Sequence, residues 1–444
     1  MSTQSNQTFG RVSGFTAACV LVSNVIGGGI FTATGFMARD LGDPWLILLL
    51  WSLGAVFALA GALSYSELAT ALPQVGGEYI YIKEAYGPLL GFLSGWASFT
   101  IGFGAAIAAA SASFAAYLLQ LFPLHADSRW LPKATALLLL WGLTSVHVAG
   151  IGAGGLLQRV LTVTKAASIL LLALGAFLFG HGEWEHFSSI PASSAPSVGA
   201  IAVSFIFVIY AYSGWNAIGY IAGEIVNPAR TIPIALLWGT AFVGFIYVLL
   251  NVVFFYALPV GVLAHPPVLP VAEKAAVALF GVGAARVVTV LLCISIAAAV
   301  SAMVWAGPRV YFAMAMDGRV PAVLARHRGK GGAPSYAILA QTVWATLLIV
   351  SGTFEQLVVY TGIILATFSA LAVGAVIVLR RRRPALHRPY RVPFYPITPC
   401  AYIAAAAAIV LYTVAERPTE AGLGLATVLL GVPFYVLGRK RLTS

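Results

Sequence analysis

Apolar residues in this chain gather into long unbroken runs, and polar residues are confined to short stretches between them. Twelve runs are read, near 14–38, 44–71, 88–121, 132–150, 155–179, 199–223, 235–258, 284–315, 335–352, 356–379, 397–415 and 421–437. A helix needs about 20 such residues to cross hydrocarbon, so the pattern predicts an all-α integral membrane protein with about 12 spans and no room for a soluble domain. Two runs are interrupted near their middle. The first carries Val25-Ile26-Gly27-Gly28-Gly29-Ile30-Phe31, and the sixth carries Tyr212-Ser213-Gly214-Trp215-Asn216. Lipid cannot hydrogen-bond a loosened backbone, so irregular chain at that depth survives only when packed in protein or lining a watery cavity. Breaks at matching places in two halves of a chain point to the binding site of a secondary transporter.

Composition agrees with the pattern. Of 444 residues, 60% are hydrophobic and 9% charged, and the mean hydropathy is +0.93. A soluble protein carries roughly 25% charged residues. The net charge of +11 is distributed unevenly. With alternate loops assigned to opposite sides, about 18 Lys and Arg fall on the side of the N-terminus and about 6 on the other, which predicts both termini cytoplasmic in a multi-pass cell-membrane protein. Arg319, Arg326, Arg328 and Lys330 contribute to this excess, as do Arg380 to Arg383, Arg388 and Arg391, whereas Glu183 and Glu185 lie in an opposite loop. These clusters border spans, so topology and anionic lipid account for them and nucleic acid does not. The polar start, Met1 to Arg11, is expected to be retained, since no small-residue cleavage site precedes Ala33.

Several chemistries are excluded. Cys19, Cys293 and Cys400 lie in or beside separate apolar segments and are read as core residues, with no disulfide framework. The histidines fall mostly in loops without the i, i+4 pairing a helical metal site favours, so neither metal nor cofactor is expected. No Gly-rich phosphate loop is present, and uphill transport would draw on a gradient. A channel would need a continuous polar pore, and an intramembrane enzyme would need clustered nucleophile, base or metal ligands; the runs offer neither.

The two breaks resemble the first-helix and sixth-helix signatures of the amino acid, polyamine and organocation transporters. The resemblance runs almost end to end, through Ser66-Glu67-Leu68 with Pro73, Gly76-Gly77 and Tyr79, then Glu224 with Asn227-Pro228, Arg230 and Pro233. Arg309 with Asp317-Gly318 follows, and Arg388-Pro389-Tyr390-Arg391-Val392-Pro393 closes the set. Within that superfamily the pattern is similar to the L-type amino acid transporters and their bacterial relatives. It implies a leucine-transporter-like core of ten helices in two inverted five-helix repeats, about 14–179 and 199–379, with helices 1 and 6 discontinuous. The layout expected is then a cytoplasmic segment 1–13, the core 14–379, a basic linker 380–396, two further helices in 397–437 and a cytoplasmic tail 438–444.

Physical chemistry gives the breaks a task. The second half of a broken helix begins with free amide N–H groups and partial positive charge, which suits a carboxylate at Gly28 and Gly29. Free carbonyls around Val25 and Ile26, and from Tyr210 through Ala211 and Tyr212 to Ser213, suit an ammonium group. With Gly27, Ile30 and Gly214 these residues form the expected substrate site for an amino acid. Relatives often carry Ser where this chain has Gly28. Gly54, Gly61, Gly91 and Gly95 are read instead as close-packing positions.

Lys165 lies well inside span 5, where an ionised lysine costs about 2.5–3.5 kcal/mol on insertion scales and snorkelling would have to reach about ten residues. In L-type relatives a lysine at the matching position takes the place of a bound sodium ion, so the resemblance implies sodium independence. Ser295 and Ser301 are its candidate partners, and whether the amine releases a proton during the cycle stays open. Tyr210 is a candidate aromatic gate or a core residue. Trp215 is expected to pack near the pocket and Asn216 to tie the unwound segment to neighbouring backbone. Glu67 and Glu224 are read as inner-gate or scaffold charges, Glu224 pairing with Arg230 or capping the Asn227-Pro228 loop. Arg309 and Asp317 are read either as a pair at the end of span 8 or as solvated interface charges.

Span 3 lacks an acidic residue, which favours neutral L-amino acids over cationic ones. The function expected is sodium-independent secondary transport. Proton-coupled symport with cationic or broad specificity, a polyamine or organocation permease, and a non-transporting amino acid sensor stay as alternatives. Relatives in the exchanger branch often join an accessory glycoprotein through a cysteine in the loop after span 3, but Pro123 to Leu131 has none, so the resemblance implies no covalent accessory subunit; the oligomeric state is open.

Overall fold

The computed structural model describes residues 12–122, 130–188, 196–266, 271–326, 333–351 and 354–440, with side chains throughout except at 354–360 and 438–440. Most of the N-terminal segment, Arg328, Lys330, most of the loop after span 3 and the end of the tail lie outside these residues. Among the described residues, ten helices are long and apolar enough to cross a membrane. Two shorter apolar helices, Val198–Tyr212 and Ser335–Ser351, stand where spans 6 and 9 were expected.

Span 1 is two helices, Gly14–Val25 and Gly28–Leu41, separated by Ile26 and Gly27. Ser13 caps the first half through its side chain. The second half starts at Gly27, whose extended backbone (φ −114°, ψ −158°) brings no side-chain cap. Span 6 runs as Val198–Tyr212, unwinds through Ser213 to Asn216, and resumes as the single turn Ala217–Tyr220 followed by Ala222–Glu224. Gly214 there takes φ +103°, a region open to glycine and strained for other residues.

Other irregularities were not anticipated. Span 3, Pro88–Gln120, carries a π-helical stretch at Ser98–Phe103, a feature frequent at functional sites. Span 8 begins earlier than its apolar run, at Val271, and kinks at Gly281 (φ +79°). Between spans 2 and 3 lies a short helix, Glu78–Tyr86.

The two broken spans lie at the centre. The first half of span 1 packs on spans 5, 7 and 8, and its second half on the sixth span. Small residues permit this. A Cβ at Gly61 would stand 2.5 Å from the Trp215 ring. One at Gly29 would stand 3.1 Å from the Ala211 Cα, a backbone atom that has no freedom to give way.

Ion pairs concentrate on the N-terminal side. Buried Glu67 accepts a two-pronged contact from Arg380 at 2.8 and 2.6 Å, and the Val392 N–H at 2.8 Å. Arg388 approaches the same carboxylate at 3.4 Å. The basic linker is therefore folded back onto the end of span 2. Cys19 and Cys293 are buried as expected, whereas Cys400 is exposed; it sits on a helix at the rim of the bundle and is not a core residue.

Candidate functional site

A helix beginning in the interior leaves its first amide N–H groups without intrahelical acceptors. At Gly28, Gly29 and Ile30 no capping side chain supplies one, and all three residues are buried. Opposite them stands the sixth-span break. Asn24 donates from Nδ2 to the Gly214 carbonyl at 3.1 Å, joining the two breaks directly. Gly27, Ser213 and Gly214 are only half-buried between buried neighbours. A cavity of about 40 Å³ lies beside them, lined by Asn24, Ser98, Ser213, Gly214, Asn216 and Tyr220 among others.

The carbonyls at the breaks are not equally free. An oxygen of this type has two lone pairs. That of Tyr210 accepts both the N–H and the hydroxyl of Ser213, at 3.0 and 2.6 Å. It is saturated, which removes it from the set expected to meet an ammonium group. The Tyr247 hydroxyl lies 2.7 Å from the Val25 carbonyl and 2.8 Å from that of Ala211, leaving one lone pair on each. No donor reaches the Tyr212 or Ser213 carbonyl among the described residues.

Lys165 is fully buried. Its Nζ donates to the Ser23 carbonyl at 3.1 Å and to the Ile26 carbonyl. Both acceptors are end-of-helix carbonyls of span 1, which the break has freed from intrahelical bonds. The expected hydroxyl partners are not used. Ser301 bonds to His147 at 2.8 Å, and the Ser295 hydroxyl is buried with no partner. Carbonyl oxygens released by the unwinding carry more partial charge than a hydroxyl, and they lie within the lysine's reach.

The ring of Tyr210 stands against Gly29, where a Cβ would come within 3.3 Å of Cδ1. Trp215 packs edge-on against Tyr65, with ring centroids 4.7 Å apart. Asn216 does not tie to backbone: its Nδ2 donates to Glu78 Oε1 at 2.7 Å and to the Tyr220 hydroxyl at 2.9 Å. Glu224 does not pair with Arg230 or cap the following loop. Arg309 grips it with Nε and Nη2 at 3.1 and 3.2 Å. Asp317 is correspondingly not the partner of Arg309; it meets Lys83 at 2.6 Å and the Tyr79 hydroxyl at 2.5 Å. In each case a partner distant in sequence, on span 8 or on the short helix Glu78–Tyr86, takes the place of the neighbour suggested by sequence spacing.

Beside the Glu224 fork, Val12 exchanges backbone bonds with the Glu224 carbonyl and the Val226 N–H at 2.9 and 3.0 Å. These bonds tie Val12 to the end of the sixth span as a strap. On the opposite side a pocket of about 800 Å³ opens among Gln120, Leu258, His265, Glu273 and Lys274.

Sequence reasoning missed Asn24, Tyr247 and Glu78, and read Ser113 only as one of the small span-3 residues, with Ala108 and Ser111, that leave room for a substrate side chain. Asn24 was findable as a lone amide in an apolar run next to the break. Ser113 has a buried, unpartnered hydroxyl, which would lie 3.1 Å from a Cβ at Gly28. Nothing in the sequence separates Tyr247 from the other 17 tyrosines.

Membrane-length helices packed around two broken ones define a polytopic membrane protein. Residues 12–433 match the amino acid permease family, and the chain belongs to it. It is an amino acid transporter and not an enzyme. It is 30% identical over 96% of its length to the large neutral amino acids transporter small subunit 2 of Rattus norvegicus, covering 80% of that protein. Against the Asc-type amino acid transporter 1 of Mus musculus the figures are 29%, 96% and 80%. Against the human cystine/glutamate transporter they are 27%, 96% and 85%.

Proposed function

We propose that the protein is a sodium-independent secondary transporter of neutral L-amino acids, working by exchange through alternating access. The observation that carries this reading is the uncapped helix start at Gly28, Gly29 and Ile30, packed beside a sixth-span break in which the Tyr212 and Ser213 carbonyls accept no bond among the described residues. Three amides aligned with a helix dipole bind a carboxylate, and the carbonyls across the gap bind the ammonium group of the same molecule. The remaining lone pairs on Val25 and Ala211 extend that acceptor set. Tyr210, against Gly29, serves as the aromatic gate over the substrate.

Lys165 supports sodium independence. Its ammonium group occupies carbonyl oxygens of Ser23 and Ile26, the kind of ligand a hard cation would otherwise collect at a helix break. Neutral substrates are supported by the absence of a carboxylate among the cavity-lining residues. The name of one relative agrees, specifying large neutral amino acids.

In this reading both termini are cytoplasmic, the core spans 14–379 as two inverted repeats, and 397–437 is peripheral to it. The Val12 strap and the Glu224–Arg309 fork form the cytoplasmic gate, with Glu67 holding the linker as scaffold. The test is uptake of labelled amino acids into proteoliposomes, with and without internal amino acid and with and without a pH gradient. Acceleration by internal neutral amino acids is expected. Binding without flux would make the protein a sensor, and acceleration only by external acid would make it a proton symporter.

A further inference from the structure

Among the described residues, three carboxylates are deeply buried on the N-terminal side: Glu67, Glu78 and Glu224, at 2%, 3% and 7% exposure. Glu67 and Glu224 are each held by arginine. Glu78 has no cationic partner among the described residues. Burying an ionised carboxylate is costly unless it is paired and hydrogen-bonded, so its surroundings require an account.

Glu78 opens the short helix between spans 2 and 3, and its Oε1 gathers donors from three spans. Tyr65 donates at 2.5 Å, Asn216 at 2.7 Å and Ser369 at 3.5 Å. The titratable groups that face it are all phenols: Tyr65 of span 2, Tyr81 of its own helix, Tyr220 beyond the sixth-span break and Tyr402 of span 11. The charges on its own helix are engaged elsewhere, Lys83 with Asp317 at 2.6 Å and Glu84 with Arg383 at 2.7 Å. Asn216 itself closes the unwound segment whose Ser213 and Gly214 line the central cavity.

We propose that Glu78 is a proton-binding site that sets how firmly the broken sixth span is held, so that proton uptake there modulates amino acid flux. When ionised, the carboxylate accepts charge-assisted bonds, roughly twice as strong as neutral ones, and Asn216 is held tightly. When a proton binds, the charge is lost and one lone pair is consumed. The Asn216 tie weakens, and the segment carrying the substrate-facing carbonyls is freer to rearrange. Burial raises the carboxyl above its usual range, and the hydrogen bonds from Tyr65, Asn216, Ser369 and Tyr220 oppose that rise.

The flux part of this inference rests on the transport reading; proton binding itself does not. Two measurements separate them. In proteoliposomes, exchange of a labelled neutral amino acid at one fixed pH tests transport, and its slope with pH tests Glu78. Wild type is expected to exchange faster as the pH falls, and Glu78→Gln, an amide mimic of the neutral form, to stay at the acid-side rate at every pH. Tyr65→Phe keeps the carboxyl and removes a donor to its charged form, so its midpoint should move to higher pH. In detergent, without substrate, tryptophan fluorescence reads the same transition, because Trp215 packs edge-on against Tyr65. A pH transition in wild type that is absent in Glu78→Gln supports the site even if no flux is seen. An identical pH response in wild type and Glu78→Gln, or a Tyr65→Phe midpoint that does not move, overturns it, whether or not exchange at fixed pH succeeds.

Discussion

The Tyr247 hydroxyl stands 2.7 Å from the carbonyl of Val25, the last residue of the first half of span 1, and the same oxygen reaches the Ala211 carbonyl at 2.8 Å. One proton therefore serves the ends of both broken helices and holds them in register across the site. Tyr247→Phe removes it without changing the ring. A buried hydrogen bond lost in this way costs on the order of 1 kcal/mol, more where an acceptor stays dry. Apparent substrate affinity should fall roughly fivefold to tenfold, since 1.4 kcal/mol is a factor of ten. Competition binding on the purified variant checks this, and unchanged affinity would show that the Asn24 bond to Gly214 holds the two breaks without the Tyr247 hydroxyl.

Lys165 bears on coupling. Its removal frees the Ser23 and Ile26 carbonyls at a fully buried position. Lys165→Met keeps the stem and loses the charge, and exchange should drop below about a tenth of wild type, the scale expected when buried charged hydrogen bonds of about 1.5–3 kcal/mol are lost. Wild-type exchange should be unchanged when choline replaces sodium on both sides. A sodium requirement in the wild type would remove the lysine from the coupling role.

Much of this architecture was legible because membrane burial writes itself into composition. Apolar runs gave the spans, and the glycines at 27–29 and 214 gave both breaks, since only a few residue types tolerate unwinding at that depth. Lys165 stood out for the same reason: a lone charge in an apolar run has few explanations. What stayed hidden were partners distant in sequence. Glu224 meets Arg309 across 85 residues, and Asn216 meets Glu78 across 138; helical spacing is silent about both. Glu78 itself was passed over between Gly77 and Tyr79, because a carboxylate in a short polar stretch ordinarily faces water.

The two central glycines should not respond alike to a methyl group. At Gly29 the added Cβ meets the Ala211 backbone at 3.1 Å, whereas at Gly28 it meets the Ser113 side chain, at 3.1 and 3.3 Å. A side chain can rotate away and a packed helix backbone cannot. Gly29→Ala should thus push the broken spans apart and lower exchange more than tenfold, in line with the roughly 1–3 kcal/mol of overpacked cores. Gly28→Ala should stay within about threefold. Parallel initial-rate measurements decide it, and the reverse order would place the tight contact at Gly28.

The Glu224–Arg309 fork makes a stability prediction that a double-mutant cycle can check. The Arg309 side chain is 3% exposed and that of Glu224 9%, so neither charge has water to fall back on when the other is removed. Glu224→Gln leaves a buried guanidinium without its anion, a change that costs about 3–5 kcal/mol in comparable cases. Replacing both ends removes the unmet charge as well as the attraction, and such replacements are often close to neutral. Glu224→Gln alone should lower the melting temperature in detergent markedly, and adding Arg309→Met should recover most of the loss. Because the Val12 strap bonds to the Glu224 carbonyl and not to its side chain, that contact can persist in both variants, and the recovery reads the ion pair alone. Additive losses in the double variant would mean that Arg309 contributes chiefly through its bond to the Trp305 carbonyl at 2.5 Å.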